Sequence, residues 1–293
     1  MVPSDLVWGQ QRLKFGPRPL IMGILNITPD SFSDGGLFLS PQDALDQAEK
    51  MVAAGADIID IGGESTRPFS KTIDAAEELR RVIPVIKALA QRIQIPISID
   101  TTKAEVARHA LEAGATIIND ISALRMDPDL ATVAATHAVP IILMHMKGTP
   151  RDMQVAPEYD DLLGEIYTFL QTAVAAAQNS GIPKSKIIID PGIGFGKTLE
   201  HNLVILKNLG RFNQMGSPVL VGASRKTFIR KLIKPDHLED IDPLSPIVGT
   251  GTQAVVAIAA MNGAQIIRVH DVAQTLATLK IVAAIQAAET SKF

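Results

Sequence analysis

GADIID at 55–60, GATIIN at 114–119 and GAQIIR at 263–268 are three copies of one pattern, Gly-Ala-x-Ile-Ile-polar. GIPKSKIIID at 181–190 is a looser fourth copy. Each follows a segment whose apolar residues recur with helical spacing. The glycine suits the residue just past a helix, where a positive φ closes the last turn. The Ile-Ile pair suits a short buried strand. Repeated helix–Gly–strand units point to a parallel α/β fold.

Read outward from these copies, the chain contains eight such strands, near 20–25, 57–61, 97–100, 116–119, 140–145, 187–190, 218–222 and 265–269. Helical patterns occupy the intervals near 41–54, 74–92, 103–113, 128–137, 158–180, 199–209, 226–234 with 247–262, and 272–288. Eight βα units in 293 residues fit a closed (β/α)8 barrel, with a doubly wound open sheet as the alternative. No composition shift or linker divides the chain, so one domain is expected. Residues 1–19 and the stretch 234–246 are expected additions to a barrel that runs over 20–293.

Composition narrows the function. Hydrophobic residues at 46% and charged residues at 20% exclude disorder as the main state. Lys plus Arg is 28 against 31 Asp plus Glu, a net charge of −3, which supplies no basic excess for nucleic acid. The absence of cysteine excludes disulfides, thiolate metal sites and a cysteine nucleophile. The first residues show no charged head before an apolar run, and no apolar stretch approaches the roughly 20 residues of a spanning helix. No membrane partner is expected, and the expected location is cytoplasmic.

Barrel enzymes carry their chemistry at the C-terminal strand ends. Those ends read Asn26, Asp60, Asp100, Asn119, His145, Asp190, the cluster Ser224-Arg225-Lys226, and Arg268 with His270. A single Asx residue there ordinarily caps the next helix, but capping alone would use Ser and Thr as readily. Asp100, Asn119 and Asp190 each end an apolar strand and need hydrogen-bond donors. A planar ligand rich in ring N–H and NH2 groups, such as a pterin or guanine, would supply them. A metal is the alternative, although histidines at ligand spacing are lacking. Arg67, Lys226, Arg268 and His270 form the opposite set and suit a phosphate or diphosphate. For Arg268 an ion pair with an aspartate is the competing assignment.

Two loops, TPDSFSDGGL at 28–37 and GGESTRPFS at 62–70, are rich in turn formers and read as lids or as ordinary βα connections. DPGIGFGKT at 190–198 is not a phosphate-binding P-loop, because Pro191 stands where that pattern requires glycine. It reads as a turn that brings backbone close to a flat ligand, with Phe195 beside the ring. RKTFIRK at 225–231 reads as the exposed first turns of a helix. His109, His137, His201 and His237 read as surface residues, whereas His145 and His270 remain candidates.

The blocks NITPDSFSDGG (26–36), IDIGGESTRP (59–68), ISIDTTK (97–103), IINDIS (117–122), LMHMKGTP (143–150), DPGIGFGK (190–197), LVGASRK (220–226) and IIRVHDV (266–272) occur in order. With them the chain resembles the dihydropteroate synthase family from about residue 20 to the C-terminus. The resemblance implies a TIM barrel and a homodimer. It implies joining 6-hydroxymethyl-7,8-dihydropterin diphosphate to p-aminobenzoate, with Mg2+. Asp100, Asn119, Asp190 and Lys226 would hold the pterin, with Met144 and Phe195 packed on it. Asn26, Thr66, Arg67, Arg268 and His270 would surround the diphosphate, and Asn26 and Asp34 would help hold Mg2+. Phe32, Pro68, Ser224 and Thr227 would form much of the p-aminobenzoate site. Arg67, Asp100, Lys226, Arg268 and His270 would stand closest to the chemistry.

Three positions depart from the resemblance. Thr227 stands where the family often has Ser, and it keeps the hydroxyl. Phe69 follows STRP where members commonly have Gly, and SPIVGT (245–250) lacks an Arg that relatives often carry. A pterin-dependent methyltransferase and a non-catalytic pterin-binding paralogue are the other readings. The first would not need the diphosphate cluster.

Overall fold

Eight parallel strands pair in chain order in the computed structural model, which describes residues 3–28, 41–65 and 72–288. A hairpin of β1 (Asp5–Trp8) and β2 (Gln11–Lys14) comes first. The parallel set is β3 (Leu20–Asn26), β4 (Ile58–Gly62), β5 (Ile97–Asp100), β6 (Ile117–Asp120), β7 (Ile141–Met144), β8 (Ile187–Asp190), β9 (Leu220–Val221) and β10 (Ile266–Val269). Between and after them lie α1 (Pro41–Ala53), α2 (Ala75–Leu89), α3 (Ala104–Ala113), α4 (Asp129–His137), α5 (Leu162–Asn179), α6 (Leu199–Lys207), α7 (Thr227–Ile233), α8 (Pro246–Met261) and α9 (Val272–Gln286).

The first and last strands pair, with Leu20 opposite Ile266. The remaining gap, between β8 and β9, is bridged at Ile189 and Val219, where Ile189 N donates to Pro218 O at 2.9 Å. The sheet therefore closes into a barrel, and the open-sheet alternative is excluded. β9 is the shortest strand. Pro218 has no N–H to give, and the Val219 N–H goes to the Gln265 side chain at 2.7 Å instead of to a neighbouring backbone.

The strands are buried on both faces, which is why they read as Ile-rich runs without alternation. Side chains still alternate inward and outward along each strand. Gly23 marks the outward face, since a Cβ there would touch Met51 of α1 and Val272 of α9. One residue either side, Met22 and Ile24, point inward. This alternation sends Arg268 inward and Val269 outward, and Asn119 inward and Asp120 outward.

The helix–Gly–strand reading holds in detail. Gly55, Gly114, Gly181 and Gly263 all have φ between +92° and +119°. Gly114 caps α3, and its N–H returns to Ala110 and Leu111 carbonyls. A Cβ there would lie 2.5 Å from the Ala90 Cβ. Ala138 takes the same role after α4 without being glycine, at φ +52°.

The expected N-terminal addition contains the β1–β2 hairpin. Leu6, Trp8 and Leu13 join the main core. The hairpin packs on the 3-10 turn Lys184–Lys186 that leads into β8, so it sits at the end opposite the strand C-termini. The stretch 234–245 carries no regular element, with Pro246 already opening α8, and it is tied back by Asp240, which pairs with Arg230 at 2.9 and 2.8 Å. No helix among the described residues is long and apolar enough to cross a membrane.

Gly114→Ala combines an unfavourable φ with a backbone-adjacent clash and is expected to cost about 2 kcal/mol or more. Gly9→Ala has φ +51° but nothing within 4 Å of the new Cβ, and is expected to cost about 1 kcal/mol. Urea denaturation of both variants checks the order, and equal midpoints would contradict it.

Candidate active site

Arg268 occupies the middle of the strand C-termini. It enters the barrel from β10, and its guanidinium spans two carboxylates on β4 and β5. Nε donates to Asp60 Oδ2 at 2.6 Å and Nη2 donates to Asp100 Oδ2 at 2.7 Å. Asn119 on β6 donates from Nδ2 to the same Asp60 oxygen at 3.1 Å. Asp60 is fully buried and Asp100 nearly so. The competing sequence assignment for Arg268, an aspartate ion pair, is thus realised. Two of its five N–H groups are used in these bonds, which leaves three for a ligand.

Asn26 closes one side of this network. Gly62 lies between Asn26 and Asp100 in the strand register, and a Cβ there would make ordinary contacts, 3.4 Å to Asn26 Oδ1 and 3.8 Å to Asp100 Oδ2. Among the described residues no three His, Asp or Glu side chains converge as a metal centre. Mg2+ ordinarily takes one or two protein oxygens and completes its shell with phosphate and water. The Asn26 side-chain oxygen could serve as one such ligand.

The opposite side holds Asp190, Phe195 and Lys226. Lys226 Nζ donates to Ile193 O and lies 4.3 Å from the centre of the Phe195 ring. Asp190 accepts from Gly192 N at 2.7 Å. Met144 is buried with Ile121, Met146 and Met153, and Phe195 packs on this group. Ser224 and His270 stand side by side at the ends of β9 and β10, Oγ to Nδ1 at 3.0 Å. Thr227 opens α7 and is exposed. Asn26, Asp100, Asn119, Met144, Asp190, Phe195, Ser224, Lys226, Arg268 and His270 thus all lie at the C-terminal end of the barrel. Phe32, Asp34, Thr66, Arg67, Pro68 and Phe69 lie outside the described residues.

Burial sets the charge states. It pushes the Asp100 carboxyl upward, with the Arg268 charge opposing. It pushes Asp190 upward too, with Lys226 opposing. Burial lowers the Lys226 amine to about 7, against the pull of Asp190. Burial also works against the Arg268 cation, but Asp60 and Asp100 outweigh it and hold it above its ordinary value. Among the described residues the mouth therefore holds one secure cation, Arg268, and one fully buried acceptor, Asp60 Oδ1, with no hydrogen-bond partner.

Two sequence readings need correction. His145 follows β7 but faces outward, with its ring 4.8 Å from Phe169 on α5 and its Nδ1 2.9 Å from Lys197 Nζ. It is one residue out of phase with Met144, so alternation removes it from the mouth. RKTFIRK is not an exposed run. Arg225 pairs with Asp271 at 2.7 Å, Lys226 turns into the site, and Arg230 binds Asp240. The GIGFGK turn is as expected: Gly192, Gly194 and Gly196 have φ of +71°, +81° and +64°.

Other residues were missed. Asp60, which the sequence marks only as a strand end, anchors both Arg268 and Asn119. Its position two residues before Gly62 on an inward-facing register was the available signal. Glu64 accepts from Lys103 Nζ and, at 3.2 Å, from Ile73 N. It thereby ties together the two ends of the segment that contains Thr66 and Arg67. Lys103 also reaches the buried Glu78 at 2.6 Å.

Residues 22–270 match the family described as pterin binding enzyme. The chain is 51% identical to a dihydropteroate synthase of Synechocystis over 270 residues, 92% of this chain and 91% of the relative. It is 46% identical to that of Escherichia coli, over 94% of each. Among solved structures it is similar to Yersinia pestis dihydropteroate synthase in a sulfonamide drug complex. That match has a TM-score of 0.90 and 45% identity, over 97% of this chain and 100% of the other. It is similar as well to the Xanthomonas albilineans dihydropteroate synthase with 4-aminobenzoic acid, at TM-score 0.89 and 43% identity, over 98% and 99%.

Burial depresses the Lys226 amine from its ordinary value to about 7. A depressed lysine contributes stability at high pH that is lost as pH falls through the folded value. Relative to Lys226→Met, the wild type is therefore expected to lose stability between about pH 10 and about pH 7. Urea midpoints of both proteins across that window test this, and a constant difference would refute it.

Proposed function

Because the chain belongs to the dihydropteroate synthase family of pterin binding enzymes, we propose that it joins 6-hydroxymethyl-7,8-dihydropterin diphosphate to p-aminobenzoate, giving 7,8-dihydropteroate and diphosphate. The observation that carries the assignment to this mouth is the Asp60–Arg268–Asp100 bridge beside Asn119, Asp190 and Lys226. Asp60 Oδ1 is buried there without a donor among the described residues, and a pterin ring presents N–H groups to such carboxylates. Asp100, Asn119, Asp190 and Lys226 hold that ring, with Met144 and Phe195 against its faces.

The amine of p-aminobenzoate is a weak nucleophile, because its lone pair is delocalised into the ring. Departure of the diphosphate therefore runs ahead of attack. Arg268, with three N–H groups still available, and His270 stabilise the leaving oxygens, together with Thr66 and Arg67. The positive charge that develops on the methylene spreads into the pterin near Asp100 and Asp190. A Mg2+ held by Asn26 and Asp34 would neutralise charge on the diphosphate. Ser224 and Thr227, with Phe32 and Pro68, take p-aminobenzoate, and the Thr227 hydroxyl lies at the start of α7, where an anion is favoured.

The assembly proposed is a homodimer in the cytoplasm. Ile258 and Met261 on α8 and Ile281 and Ile285 on α9 are about half exposed or more, on two helices that pack together. A second copy of the chain would cover them, and sedimentation equilibrium tests the dimer directly.

A diphosphate-release assay with and without p-aminobenzoate, with dihydropteroate followed by mass spectrometry, tests the reaction. Release that tracks product is the expected outcome. Bound pterin without release would return the methyltransferase or the non-catalytic paralogue. Arg268→Ala is expected to lower kcat/KM by about 10²- to 10³-fold, and an unchanged value would contradict the role given to Arg268.

A further inference from the structure

The turn 192–196 carries Phe195 into the mouth with its backbone outside any helix or strand. Buried carbonyls in such a turn need donors. Four consecutive ones receive a side chain each, from separate places. Ile193 O accepts from Lys226 Nζ and Gly194 O from Gln154 Nε2 at 2.6 Å. Phe195 O accepts from Lys197 Nζ at 3.0 Å and Gly196 O from the Tyr159 hydroxyl at 2.7 Å. Gln154 and Tyr159 both belong to the segment between β7 and α5.

We infer that Gln154, Tyr159 and Lys197 are positioning residues for the pterin, which set the Phe195 ring by suspending the turn that bears it. The inference rests on the proposed placement of the pterin against Phe195. The same β7–α5 segment also builds the wall behind that ring. Met153, next to Gln154, is buried in the group on which Phe195 packs. Its backbone is fixed by a turn in which Asp152 Oδ1 accepts from Thr149 N and Thr149 Oγ1, both at 2.7 Å.

The glycines allow the approach. A Cβ on Gly192 would lie 1.8 Å from His145 O, and one on Gly196 would lie 2.4 Å from Lys147 O. The turn and the segment after β7 are thus in backbone contact. Lys197 locks the back of the turn, since its buried amine also meets His145 Nδ1 at 2.9 Å.

Ligand binding gives these three residues their importance. Lys226 is the fourth donor, and it is also the residue proposed to donate to the pterin. Its amine is therefore shared between the turn and the ligand. Gln154, Tyr159 and Lys197 donate to the turn without that second duty. Lys197 is too deeply buried for a clean test, so the experiment uses the other two. Tyr159→Phe removes one hydroxyl and keeps the ring, which packs edge-on to His201 at 5.1 Å between centroids. Gln154→Ala removes the donor to Gly194.

Calorimetry with 6-hydroxymethylpterin, which lacks the diphosphate, measures pterin affinity without turnover. Each substitution is expected to weaken it by about fivefold. The KM for pterin diphosphate should rise in step, while kcat and the p-aminobenzoate KM stay within about twofold. Wild-type affinity in both variants would overturn the inference. So would a fall in Tm and kcat with both KM values rising alike, which is the mark of a purely structural role. A wild-type protein that binds no pterin would instead overturn the functional reading on which the inference stands.

Discussion

A guanidinium shared by two buried carboxylates organises this barrel mouth. Arg268 reaches from the last strand to Asp60 and Asp100 on the second and third strands of the barrel, 208 and 168 residues away in sequence. An arginine can do this because its N–H groups lie in a fixed plane and can serve separate acceptors. A buried carboxylate without such a partner would shed its charge. Asp60 accepts from Asn119 as well, so three inward-facing side chains of β4, β6 and β10 are referenced to one oxygen. The orientation of the proposed pterin groups follows from that shared contact.

The same arrangement has an energetic cost that the fold does not recover by itself. Burial raises Asp100 and Asp190 and lowers Lys226, which means that each of these charges is less comfortable in the folded chain than in water. Hydrophobic residues in their places would fold more easily. A ligand with matching donors removes the penalty, so the strain is realised as binding and not as stability. The aliphatic barrel, buried on both faces, is the reserve that carries this cost.

The outward faces of the strand ends do different work. Asp120 accepts from Ser122 N at 2.8 Å and Leu124 N at 2.6 Å, and so shapes the turn after β6. His145 and Lys197 meet behind β7. Asp120 and His145 are one step out of phase with the inward-facing Asn119 and Met144. Identical residue types at neighbouring positions thus serve support or chemistry according to the pleat alone.

Much of the fold was legible in the sequence. The Gly-Ala-x-Ile-Ile repeats marked helix ends and strands because φ > 0 strongly favours glycine and because a strand buried on both faces must be apolar. The strand-end positions followed from the same count. Asp100, Asn119, Asp190, Lys226 and Arg268 could therefore be placed at one mouth before any coordinates. The N-terminal hairpin could not, since its four-residue strands carry only a weak pattern and gain stability from packing on the barrel. Nor could the sequence say that Arg268 meets Asp60 as well as Asp100, that His145 turns away, or that Gln154 and Tyr159 reach the Gly192–Gly196 turn. Local patterns depend on neighbours a few residues apart, whereas these contacts join residues separated by tens to hundreds of positions. Only closure of the barrel, which fixes the relative height and rotation of every strand, decides them.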